Sequence, residues 1–124
     1  MGKDLQAQLL ANEQALMDLA VEGWRFSRLF LKALSKMDAG VSGRYVNQLR
    51  YFQKRIEESL ERSGLRLVNV EGQIFDPGVA AAALNIGDYE AGDKLVIDQM
   101  VEPIIMGEDG LKCQGTVTVS KVTG

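Results

Sequence analysis

The sequence predicts an α+β protein: an N-terminal helical hairpin that forms a dimeric four-helix bundle (residues 1–64), followed by a small β-rich head domain (residues 65–124). Three observations carry this. Apolar residues recur at helical spacing up to Gly64 and afterwards fall in short runs broken by turn residues. A glycine-bearing break at 38–43 splits the helical part in two. The halves also differ in charge: residues 1–64 carry 10 Lys and Arg against 8 Asp and Glu, a net +2, whereas residues 65–124 carry 4 against 9, a net −5.

Over 5–37 the apolar residues follow heptads. One row is Leu9, Leu16, Gly23, Phe30 and Met37; another is Leu5, Asn12, Leu19, Phe26 and Ala33. Together they make the alternating three-and-four steps of a coiled-coil seam. A third row (Leu10, Met17, Trp24, Leu31) widens the stripe beyond what one partner helix covers. Asn12 and Gly23 interrupt it. They read as a position near a fraying end and a glycine tolerated at about 1 kcal/mol, rather than as a register signal and a close helix crossing.

In the break at 38–43, Gly40 is placed to supply a positive-φ cap for the first helix and Ser42 to cap the second. The second helix runs to about Ser63 with Tyr45, Leu49, Phe52, Ile56 and Leu60 on one face, and Gly64 ends it. Arg44, Arg50, Lys54 and Arg55 cluster toward the other face and read as a solvated surface balanced by Glu57, Glu58 and Glu61. A two-helix hairpin leaves much of so broad a stripe wet, so pairing with a second copy is expected. Leu9, Leu16, Leu19, Phe26, Phe30, Leu49, Phe52 and Ile56 are the predicted dimerisation residues.

In the β half, Leu65, Leu67, Val68 and Val70 read as a first strand, with Gly72 as a turn or bulge. Residues 95–101 and 116–119 read as further strands, with a hairpin signal at Gly107-Glu108-Asp109-Gly110. Asp76-Pro77 is a turn-forming pair, and the alanines behind it suit a short helix. Asp88, Glu90 and Asp93 form an acidic loop without the ligand spacing of a calcium site, so it reads as a polar turn.

The chemistry available is narrow. There is no histidine, which removes the commonest general base and transition-metal ligand. Cys113 is the only cysteine, so neither an internal disulfide nor a thiolate metal cage can form, and it reads as a packing residue. A non-enzymatic protein without cofactor or metal is therefore expected. Neither half is basic enough for nucleic acid. The longest wholly apolar run, 79–84, falls far short of the ~20 residues of a membrane span. The start of the chain lacks the apolar core of a secretory signal, so a cytoplasmic location is expected.

The run Ser63-Gly64-Leu65-Arg66-Leu67-Val68, then Phe75-Asp76-Pro77 with Ala82 five residues on, resembles the GrpE family. So do the Ala91-Gly92 turn into Leu95-Val96 and the final Thr116-Val117-Thr118-Val119-Ser120-Lys121. GrpE proteins are the nucleotide-exchange factors of DnaK-type chaperones. The likeness covers about residues 45–121. The chain departs from the family pattern at Ala80 (usually His or Met), at Val101-Glu102 (usually Gly with Tyr or Phe) and in a longer hairpin over 103–114. Only about the first fifteen residues could belong to the family's coiled-coil stem.

The resemblance implies a homodimeric co-chaperone. It would lean one β head on the ATPase domain of a DnaK-type chaperone and stabilise the open nucleotide cleft. Because ADP binds the closed state better, that weakens ADP by the same coupling factor. On this implication Phe75, Asp76, Pro77 and Ala82 shape the head. Met100, Val101, Ile104, Ile105 and Met106 of the long hairpin either supply apolar contact area or form the β core. The other reading is a GrpE-fold dimeric interaction module that has shifted to a different protein partner.

Overall fold

The structure, a computed structural model, describes residues 2–122. It is α+β: two long helices followed by a small β-sheet region. The chain divides into two compact units, one ending at Leu65 and the other beginning at Arg66.

The first unit is a hairpin of α1 (Gly2–Leu34) and α2 (Ala39–Arg62). The face of α1 turned to α2 carries Met17, Ala20, Trp24, Ser27 and Leu34, all buried at helical spacing. Across it, Val46, Leu49, Gln53 and Ile56 are half-buried and Leu60 is fully buried. The buried Ser27 hydroxyl is held from both helices: it donates to the Trp24 carbonyl (2.7 Å) and accepts from Gln53 Nε2 (2.8 Å). Arg28 stacks its guanidinium over the Trp24 ring at 4.6 Å.

Gly23 is a crossing point, not a merely tolerated glycine. A Cβ there would lie 3.1 Å from Phe52 Cζ and 3.2 Å from Ile56 Cδ1, so the missing side chain lets α2 approach. The caps differ from expectation as well. Asp38, not Ser42, is the N-cap of α2 and accepts from Gly40 N–H at 2.9 Å. Gly40 lies inside the first turn of α2, and its φ is not positive. A short side-chain acceptor nearer the helix start wins, because it reaches an amide that has no carbonyl partner.

Gly64 ends α2 as predicted, at φ 76°. Its N–H donates to the Glu61 carbonyl (3.1 Å) and the Leu65 N–H to the Leu60 carbonyl (3.0 Å). That is a Schellman closure, and its accompanying leucine pair, Leu60 and Leu65, is buried.

The second unit contains β1 (Arg66–Val68), β2 (Ala81–Ala83), a 3-10 turn (Ile86–Asp88), β3 (Leu95–Glu102), β4 (Ile104–Gly107), β5 (Gly110–Cys113) and β6 (Gly115–Lys121). One antiparallel sheet runs β1-β4-β5 and a mixed one β2-β6-β3, with β2 parallel and β3 antiparallel to β6. The chain passes from one sheet to the other at the buried Pro103, which has no N–H to contribute to either ladder. The hairpin at Gly107 and Gly110 forms as predicted, with Gly110 at φ 127°.

The alanines expected in a short helix form β2 instead. Gly115 N–H donates to the Ala80 carbonyl (3.0 Å) and Leu84 N–H to the Val117 carbonyl (2.9 Å). The ladder is then continued by a side chain: Asn85 donates to the Val119 carbonyl (2.8 Å) and accepts its N–H (3.0 Å). Helix propensity of an alanine run is a weak preference that a β partner overrides.

β6 alternates simply, with Gly115, Val117 and Val119 inward. β3 does not. Register shifts against β6 leave Asp98 and Val101 as extra residues, so Leu95, Ile97 and then Met100 point inward. The outer edge of β3 is covered: residues 72–75 bond to Leu95 and Ile97, and the Glu71 carboxylate accepts Met100 N–H at 2.9 Å.

Candidate partner-binding surfaces

In the helical unit the residues predicted for dimerisation lie mostly outside the intrachain contact. Leu9, Leu19, Phe26, Phe30 and Phe52 are exposed, and Leu16, Leu49 and Ile56 are half-buried. The division follows from the helix period. The third apolar row (Met17, Trp24, Leu31) faces α2, whereas the two seam rows, apart from Gly23 at the crossing, occupy the neighbouring sector of α1. Leu16, Leu19, Gly23, Phe26, Phe52 and Ile56 line a groove of about 540 Å³ between the helices. Phe26, part of that lining, stacks on Phe30 with centroids 6.0 Å apart. Nothing between Gly2 and Asn12 is buried, although Leu5, Leu9 and Leu10 lie there.

In the β unit, Phe75-Asp76-Pro77 forms a tight turn. Asp76 Oδ1 accepts Gly78 N–H at 2.7 Å and the Asp76 carbonyl accepts Val79 N–H at 3.1 Å. Phe75, Pro77, Ile86, Tyr89, Ala91 and Leu95 give the apolar lining of a groove of about 250 Å³. Its polar rim is Asp76, Glu90 and Asp93. Tyr89 is held by its hydroxyl donating to the Val119 carbonyl (3.1 Å). The Asp93 carboxyl lies below the ordinary 3.8, because it accepts Glu90 N–H (2.9 Å) and faces Lys121 Nζ (3.3 Å), against an opposing cost of desolvation.

The hairpin residues named for partner contact divide. Met100, Ile104 and Ile105 are 0%, 3% and 0% exposed, so they are core and offer no contact surface. Val101 and Met106 are half-buried. The physical reason is the pair of β3 bulges, which turn Met100 inward, while β4 after the buried Pro103 is covered on both faces, so that the alternating Ile104 and Ile105 are both buried. Ala82 is exposed on β2 and does not line the groove with Phe75.

The exposed large apolar residues of this unit are instead Ile74, Leu84, Ile86 and Leu111. None is among the contact residues expected from the sequence. The available signal was their place beside turn residues, outside the alternation of the longer strands.

Among the described residues, no group of three or more His, Cys, Asp or Glu could hold a metal ion. No helix among them is long and apolar enough to cross a membrane. Cys113 is half-buried in β5 and forms no disulfide. No family model matches the sequence, and no curated protein or solved structure matches it.

Proposed function

We propose that the protein is a GrpE-like co-chaperone that promotes ADP release from a DnaK-type chaperone ATPase domain by stabilising its open nucleotide cleft. The observation that carries this is the order and boundaries of the elements. A helical hairpin is stopped at Gly64, leads straight into β1, turns at Phe75-Asp76-Pro77, and ends with the 116–121 run as the central strand of the mixed sheet. These are the segments in which the sequence resembles the family. The mechanism needs surface complementarity and no catalytic side chain, which accords with a chain lacking histidine.

The functional unit on this reading is a cytoplasmic homodimer. Leu9, Leu19, Phe26, Phe30 and Phe52 would each gain about 1–2 kcal/mol on burying what they still expose, against about 4–15 kcal/mol lost in association. Light scattering at micromolar concentration reports a dimer on this reading, and a monomer contradicts it.

The test of function is stopped-flow release of a fluorescent ADP analogue from the DnaK-type chaperone of the same organism. Acceleration by about tenfold or more is the expected outcome, corresponding to about 1.4 kcal/mol of coupling. A folded dimer that leaves release unchanged overturns the exchange reading. The burial of Met100, Ile104 and Ile105 gives the other reading, a GrpE-fold module with a different protein partner, its specific support.

A further inference from the structure

The groove at the Phe75 turn combines two features that the fold does not require. Its walls are apolar, yet Ile86 is 49% exposed and Pro77 is also exposed. Its rim carries three carboxylates, Asp76, Glu90 and Asp93, and no basic residue lines it. Lys121 offsets one of them, through Asp93. The Asp76 carboxylate accepts only a backbone N–H, and the Glu90 side chain has no basic partner among the described residues.

We infer that this groove docks a protein segment in which a leucine-sized apolar side chain is flanked by lysine or arginine. About 250 Å³ suffices for one such side chain, since a cavity of about 150 Å³ takes benzene. Charge decides what kind of molecule brings it. A wholly apolar ligand would strip water from Asp76 and Glu90 without replacing it. Nucleic acid and anionic lipid are repelled by a half-chain of net −5. A cationic flank on each side of the apolar group satisfies both the rim and the walls, and the fixed Asx turn and the Tyr89 anchor keep the groove in shape without a ligand. The inference goes beyond the exchange reading and does not depend on it.

The test uses the full chain, ¹⁵N-labelled, and two acetylated, amidated tripeptides, Lys-Leu-Lys and Glu-Leu-Glu. Lys-Leu-Lys is expected to shift backbone amides of residues 75–76 and 86–91 saturably below about 10 mM, and Glu-Leu-Glu to leave them in place. D76N/E90Q keeps an acceptor at the Asx turn and is expected to weaken Lys-Leu-Lys about tenfold, as is raising NaCl from about 0.05 to 0.5 M with the unaltered protein. Equal shifts from both peptides, shifts confined to other residues, no shift by about 10 mM, or affinity indifferent to salt would each overturn the assignment. No chaperone is present, so the result is separable from that of the ADP-release assay.

Discussion

Replacing Gly115 by alanine should destabilise the β unit by about 2–3 kcal/mol, the upper part of the range for overpacking. A Cβ at this position would stand 2.8 Å from Ile104 Cγ1, 2.9 Å from the Glu102 carbonyl oxygen and 3.2 Å from Ile104 N. Ordinary contact begins near 3.4 Å, so the oxygen must retreat by about 0.5 Å. Two of the three atoms are backbone, at the corner where the chain passes through the buried Pro103, and the third belongs to a side chain that is 3% exposed. None can swing into solvent. Gly115 also begins the central strand of the mixed sheet and donates to Ala80, so movement there disturbs the pairing of β2.

The assay is urea unfolding followed through the amide cross-peaks of residues 116–120, since the single tryptophan, Trp24, lies in the helical unit. With a slope of about 2 kcal/mol per molar, the midpoint should fall by about 1 M or more. Gly43→Ala is the contrasting glycine substitution, read by Trp24 fluorescence in the helical unit: it lies in the second turn of α2, nothing stands within 4 Å of the added Cβ, and helix propensity should raise stability by up to about 1 kcal/mol. A Gly115→Ala midpoint within about 0.25 M of the parent, or about 0.5 kcal/mol, would refute the argument, because it would mean that the corner relaxes without cost.

Asn85→Ala removes the side chain that pairs with both polar groups of Val119 and should cost about 1–3 kcal/mol, read by the same β-unit transition. Gly64→Ala forces a side chain into φ 76° and should cost about 1–2 kcal/mol, read by the helical transition through Trp24 fluorescence. Asp93 has its pKa lowered on folding, so its contribution is present above the ordinary 3.8 and lost as pH falls through the lower folded value. The urea midpoint of Asp93→Asn should therefore lie below that of the parent at neutral pH and converge with it below 3.8; a gap that persists in acid contradicts the assigned cause.

How much of this was legible in the sequence depends on how local the deciding interactions are. The two helices, the stop at Gly64 and the Gly107–Gly110 hairpin follow from periodicity and from backbone conformations that few residues adopt, and these are properties of neighbours in the chain. The breadth of the α1 stripe was legible for the same reason. Which sector of it faces α2 was not, because Gly23 becomes a crossing point only once Phe52 and Ile56 lie opposite it. The alanines at 81–83 became a strand because β6, more than thirty residues later, offered a ladder that local propensity could not anticipate. The inward turn of Met100 rests on bulges set by pairing with β6, and with it the burial that removes three residues from the predicted contact surface. The candidate groove likewise brings Phe75 and Pro77 against Ile86 and Tyr89 through contacts between separate segments, and only the folded chain puts the acidic rim around an apolar floor.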